Sequence, residues 1–450
     1  MRRSTRARFL LDELAADPTF RRSTVTHFLR SFRHRNYQLF FGGQLISLTG
    51  TWMQQIAQSW LVYRLTRSAG LLGLVSFAGQ IPVFVLAAIG GAAADRVNRH
   101  RIIVWTQTLS MVLAFILAAL TLSGAIRVWH LFVLAALLGA VNAFDIPARQ
   151  AFMVDMVGRE DLMNAIALNS SMVNGARVVG PAIAGGVVAW VGEGWCFFLN
   201  GVSYVAVIIG LLLMRLEHVR RAVRSGRSAA GDIVDGFRFV GRTAPVLTLL
   251  LLLGVVSLTA MPYAVLMPVF ADQILHGGAA GLGLLTGASG VGALGGALSL
   301  ALRRGVKGLG TWVAVSTFAF GVALLLFAWS HSFWLSAALL VPVGAAMMVQ
   351  MAASNTLIQA MVPDHLRGRV MAVYSMMFMG MAPFGALFAG WMAERAGAPR
   401  TVAVGGAICI GAAIAFRLRL PAIRGEAREL IIAQGLAGGD PAPLPLLHRR

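Results

Sequence analysis

Twelve apolar runs, each long enough to cross a bilayer, dictate what this chain can become. They fall at 38–63, 70–94, 102–124, 128–148, 166–191, 195–214, 246–271, 280–302, 309–329, 332–361, 370–393 and 400–420. A stretch of about 20 apolar residues spans the hydrocarbon core as a helix, because only a helix satisfies its own backbone where water is absent. The fold class expected is therefore all-α integral membrane, with twelve transmembrane helices in two six-helix bundles. Composition agrees: 58% of the 450 residues are hydrophobic and 12% charged. The net charge of +20 does not point to nucleic acid, since the basic residues sit in short clusters between the apolar runs rather than on one face. Arg and Lys crowd alternate loops: nine lie in the first 35 residues and seven in the central loop, whereas the opposite loops hold only Arg64, Arg67, Arg127, Arg395 and Arg400. By the positive-inside rule both termini are expected in the cytoplasm of a bacterial inner membrane. The arginine-rich start carries no core of signal-peptide type, and HFLRSFRHRNYQLFF at 27–41 suits a helix lying on an anionic lipid surface.

Residues 215–245 form the longest interior polar stretch and divide the runs six and six. The expected organisation is a basic tail at 1–36, a bundle at 37–215, a linker at 216–245, a second bundle at 246–420 and a tail at 421–450. An internal repeat supports two parallel halves: AIGGAAAD at 88–95 answers ALGGALSL at 293–300, and GPAIAGG at 180–186 loosely answers APFGALFAG at 382–390. Cys196 and Cys409 lie within apolar runs, where packing is their expected role. No metal site, cofactor motif or catalytic constellation is expected: His130, His276 and His331 are scattered, and there is no HExxH, GxSxG or nucleotide loop. That argues against an enzyme.

At 90–101 the chain reads GGAAADRVNRHR, the end of the second run and the loop into the third. The small residues let another helix approach closely, and Asp95 then stands at the membrane surface beside Arg96 and Arg99. This loop resembles the signature of the major facilitator superfamily, with Gly91, Asp95, Arg96 and Arg99 in place and Asn98 where the family usually has glycine. The resemblance implies a cytoplasmic latch, Asp95 docking near the start of the eleventh run at Arg367 and Arg369. Asn98 also tolerates the left-handed backbone that glycine would supply. A closer resemblance runs from residue 31 onward, to the exporter branch that includes the bacterial enterobactin exporter, the transmembrane secretion effector family. It rests on GTWMQQIAQSWLVY at 50–63, FDIPARQAF at 144–152, DLMNAIALNSSMVNGARVVGPAIAGG at 161–186, WCFFLNGVSYVAV at 195–207 and LRGRVMAVYSMMFMGMAPFGALFAG at 366–390.

Within the fifth run, Gly180, Pro181, Gly185 and Gly186 resemble the antiporter motif of superfamily exporters, which implies a hinge or a sealed interface and favours export. Arg177 lies within the same run, and Ser170, Asn174, Arg177 and Pro181 share one helical sector. An intramembrane charge is a functional candidate by default, here either touching an anionic or phenolic substrate or pairing with a carboxylate such as Asp145. Gln54 and Gln58 join Ser47 and Thr51 on a stripe of the first run, and Asn142 adds a polar group in the fourth. Asp145 and Arg149, one turn apart, form either a structural pair or, with Asp145 titrating, a proton-coupling site. The arginine that many superfamily antiporters carry in helix four is absent, Ala135 standing there, and no carboxylate is expected at mid-span. The implied function is secondary active export of a bulky siderophore-like or drug-like molecule by a monomer exchanging it for protons. A broad multidrug pump and a nutrient uptake carrier are the alternatives.

Overall fold

The structure, a computed structural model, describes residues 30–158, 160–215, 229–303 and 305–434. The bulk of the expected tails and the first part of the central linker fall outside them. After a 3-10 turn at Arg30–Arg33, the first half comprises α1 (Arg35–Thr66), α2 (Ala69–Arg96), α3 (Arg99–Leu122), α4 (Val128–Val157), α5 (Leu162–Val191) and α6 (Glu193–Leu212). A strongly amphipathic linker helix, Ala229–Arg242, leads into the second half. There α7 covers Ala244–Ile274, α8 Gly278–Ala301, α9 Leu309–Ala328, α10 Phe333–Met361, α11 Asp364–Ala396 and α12 Ala398–Ala433.

Among the described residues eleven helices are long and apolar enough to cross a membrane. The one of the twelve expected spans outside that set, α1, is the longest of the first half at 32 residues, and its Gln44, Ser47, Thr51, Gln54, Gln55 and Gln58 dilute the apolar run. Large side chains face outward along every bundle, Val85, Leu137, Ile209 and Val315 among them, which only a lipid surroundings makes favourable. Tryptophan marks the two rims. Trp129, Trp190, Trp195, Trp329, Trp334 and Trp391 are exposed at the end away from the termini, and Trp105 and Trp312 near the other, as amphipathic rings at a membrane interface are.

Two helices are broken. In α7 the regular helix stops at Thr259, and Pro262 and Pro268 force 3-10 and short α turns before a π turn at Phe270–Ile274. In α11 the helix divides at Gly380 into Asp364–Met379 and Met381–Ala396. The expected end of the fourth run is corrected: α4 continues through Pro147 to Val157, nine residues past the apolar stretch. Helix 12 likewise runs to Ala433, well into the expected tail.

Packing repeats between halves. Helix α2 lies on α4 and α8 on α10, while α3 lies on α6 and α9 on α12. The segment preceding each half clamps a matching place. Arg30 Nε and His34 Nε2 each reach Asp161, the residue before α5, at 2.8 Å, and in the second half Asp235 of the linker helix pairs at 2.9 Å with Arg369 of α11.

Candidate functional site

The two halves meet along two seams, α5 on α8 and α2 on the Met381–Ala396 part of α11. Both seams are built on glycine. A Cβ at Gly283 would stand 2.5 Å from the Pro181 carbonyl and 2.7 Å from Gly185 Cα, and one at Gly390 2.9 Å from Gly73 Cα. Such contact holds the helices at backbone distance, where dispersion and not side-chain length sets the fit. Both seams lie toward the end away from the termini. Polar contacts close the same end: Arg67, between α1 and α2, pairs with Asp272 of α7, and Glu394 of α11 accepts from Ser68 Oγ at 3.0 Å and Gly70 N at 2.7 Å.

Toward the terminus-bearing end the halves part. Phe77 meets Phe384 edge-on with ring centroids 5.9 Å apart, and Phe84 still lies against Gly380. Beyond that level Gly91 faces open space and Asp95 is 80% exposed, 3.8 Å from Arg99 of its own loop. Arg96 is exposed. The Asp364–Met379 part of α11 packs on the linker helix, α7 and α10. Arg367 holds Asp364 at 2.5 Å and Arg369 holds Asp235, so the structure does not bring Asp95 to either arginine. Arg99 instead fastens its loop to α4, donating to the Ala151 carbonyl at 2.9 Å and to Asp155 at 3.4 Å. Asn98 departs from its expected role. Its φ is −63°, not left-handed, and its side chain caps α3 by accepting from the backbone N–H of His100 and Arg101.

The helix-five residues divide by neighbour. Gly180 meets α1 at Trp52 and Thr49, Gly185 meets α8, and Gly186 has open space where a Cβ would go. Pro181 does not break α5, but it withholds the N–H that the Arg177 carbonyl would accept. That carbonyl lies against Gly290 of α8, 3.1 Å from a Cβ built there. Arg177 is at the middle of α5, deeper than an end placed at 166 implied, and its guanidinium lies 5.6 Å from the Trp52 ring centroid. Among the described residues it has no carboxylate partner. Asn174, one turn earlier, donates to the Ser170 carbonyl.

Asp145 is 2% exposed and meets Arg149 at 2.5 Å, so the pairing of Asp145 with Arg177 does not occur. It also accepts from Thr106 Oγ1 at 2.8 Å and Gln107 Nε2 at 2.9 Å, joining α4 to α3. Because α4 extends to Val157, Asp145 is a carboxylate near a helix middle, contrary to the expectation that none would be. Gln54 turns away from the centre: it is buried and accepts from Asn200 of α6 at 2.7 Å. Gln58 and Asn142 are half-buried. Reading the sequence missed Tyr263, in the break of α7 and 2.9 Å from Ser289 of α8, although its setting between two prolines was a visible sign of an interrupted helix. It also missed Asp272 and Glu394, whose partners lie in the other half of the chain.

Residues 26–434 match the family described as "Transmembrane secretion effector". The staphyloferrin A transporter of Staphylococcus aureus is 27% identical over 377 residues, covering 82% of this chain and 93% of that protein. The multidrug efflux pump Tap of Mycobacterium tuberculosis is 28% identical over 397 residues, covering 84% and 92%. Among solved structures, the nucleoside transporter NupG (D323A mutant) superimposes with a TM-score of 0.67 at 14% identity, over 85% of this chain and 99% of that one. With glycine seams between two helical halves, a parted end bearing the signature loop and a family match over nearly the whole chain, this is a multi-pass membrane transporter of the major facilitator fold, and it belongs to the transmembrane secretion effector family.

Proposed function

We propose that the chain is a secondary active exporter of a bulky organic small molecule across the bacterial inner membrane, working by alternating access with both termini in the cytoplasm. The observation that carries this reading is the one-sided seam: contact and polar bridges join the halves at one end, while at the other Asp95 pairs only within its own half and Gly91 faces open space. With the termini inside, this is the inward-open state, ready to load from the cytoplasm. Closing it means bringing Asp95 to the start of α11. Arg369 would exchange Asp235 for Asp95, and Arg367 would swing from Asp364, as the Ser68 and Gly70 contacts to Glu394 break at the far end. The rigid parts are the two bundles, and the places that absorb the change are the breaks at Pro262 and Gly380.

Protons are the proposed counter-ion and a single chain the working unit. Asp145 is the proposed coupling residue, a buried carboxylate whose partner Arg149 comes from its own helix and whose other partners, Thr106 and Gln107, are neutral. The cargo class follows from relatives that carry a siderophore and drugs. A broad drug pump is the second reading, favoured by the similarity to Tap.

The test compares small molecules secreted by cells with and without the protein, grown with and without iron. Disappearance of one iron chelator from the medium, with its accumulation inside the deletion strain, supports a dedicated exporter. Unchanged secretion with energy-dependent efflux of dyes supports the drug pump. Faster loss of a nutrient from the medium of cells that have the protein would overturn export.

A further inference from the structure

Arg149, eight residues before the end of α4, and Arg177, at the middle of α5, are treated differently. Arg149 is matched by Asp145. Arg177 is half-buried and, among the described residues, faces no carboxylate. An unmatched guanidinium at that depth is costly unless something of opposite sign visits it. Its surroundings come from both halves: the Trp52 ring of α1 lies beside the guanidinium, and Gly290 of α8 lies against the Arg177 backbone. Trp52 covers one face of the guanidinium and leaves its in-plane N–H donors unspent. Its backbone is fixed as well, since the carbonyl freed by Pro181 is seated against Gly290. The guanidinium therefore stands where the α5–α8 seam ends and the space between the halves begins.

Resting on the exporter reading, we infer that Arg177 and Trp52 form an anion subsite that receives the carboxylate of an organic anion with a flat apolar body. The planar fork of arginine donates two parallel hydrogen bonds to a carboxylate, and the indole stacks on the apolar body. The subsite then selects against cations, which the guanidinium repels.

The experiment uses the full chain in lipid nanodiscs and three probes: pyrene-1-butyrate, its uncharged methyl ester and pyrenebutyl-trimethylammonium. Binding is read as energy transfer from tryptophan to pyrene. Wild type is expected to prefer the carboxylate. Arg177→Gln should weaken carboxylate binding on the order of 10- to 100-fold, the range for hydrogen bonds to a charged partner, with little effect on the ester. Arg177→Lys should recover part of the preference, which a packing defect would not. Equal binding of the three probes to wild type, no carboxylate binding, or a preference that survives in Arg177→Gln overturns the subsite. The same probes in proteoliposomes under an imposed pH gradient separate the two readings. Arg177-dependent binding without gradient-driven movement refutes proton-coupled export and leaves the subsite standing, whereas driven movement with no charge preference does the reverse.

Discussion

Replacing Gly283 by alanine puts the smallest possible wedge into the α5–α8 seam. The added Cβ would stand 2.5 Å from the Pro181 carbonyl oxygen, 2.7 Å from Gly185 Cα and 2.9 Å from Gly185 N, where ordinary contact begins at 3.4 Å. All three atoms are backbone and cannot swing aside, so the helices must separate by about 1 Å, a strain of the size that overpacking imposes, about 1–3 kcal/mol. The strain falls on the state in which this seam is closed and is absent from the state in which it is open. The equilibrium should therefore move toward opening at the end away from the termini by roughly 5- to 150-fold. Spin labels at Ser123 and Ser332, both exposed at that end, measure the separation, and a second pair at Val97 and His365 watches the other end. Both native cysteines are fully buried and need no replacement. Gly283→Ala should lengthen the first distance and shorten the second, while Gly186→Ala, with open space at its Cβ, should change neither. Unchanged distances in Gly283→Ala, or equal effects of both substitutions, would refute the seam as the element that sets the balance.

Asp145→Ala leaves Arg149 as an unmatched, half-buried cation and should lower stability by about 1–3 kcal/mol, read as a drop in melting temperature; the double variant Asp145→Asn/Arg149→Gln should recover much of it. A double variant as unstable as the single one would rule out the pair as a tether. If Asp145 carries the proton, that same refolded double variant should exchange substrate at equilibrium yet fail to respond to an imposed pH gradient. Asn98→Ala removes the cap of α3 at about 1 kcal/mol, whereas Asn98→Gly should lose only a few tenths; glycine stabilising the protein above wild type would show that backbone freedom matters and capping does not. Asp235→Ala removes one partner of Arg369 and should shorten the Val97–His365 distance, and a longer distance would contradict the proposed exchange of partners.

The parts of this fold that were readable from the sequence are those governed by local chemistry. Apolar runs gave helix positions because a bilayer leaves the backbone no other structure, and the 88–95 and 293–300 repeat gave the two halves. Charge misled at the edges: Arg149 and Asp155 end the apolar stretch of α4 without ending the helix, because Arg149 pairs with Asp145 and Asp155 with Arg99 inside the protein. That hid the mid-helix position of Asp145. Gln54 shows the other limit. Its helical sector suggested a central face, yet which polar side chain meets another helix depends on rotation within the bundle, and Asn200 is 146 residues away. The state of the latch is of the same kind, since a loop motif specifies what can pair but not which partner is engaged.

Arg67 and His276 follow the ends of α1 and α7, and among the described residues they are the non-glycine residues with left-handed backbone, at φ 53° and 51°. The seams beside them correspond in the same way, Gly73 on Gly390 and Gly283 on Gly185. One contact made twice, in opposite directions, is the signature of a self-complementary two-fold interface, such as a half-length chain would make with its own copy. In such a dimer any substitution strikes both contacts together. A single chain is free of that constraint, and here the bend is present on both sides while Arg67 alone joins Asp272 across the divide. A carrier of two linked halves can thus tune one side of its closure by charge and keep the other as bare backbone contact, an adjustment unavailable to a symmetric dimer.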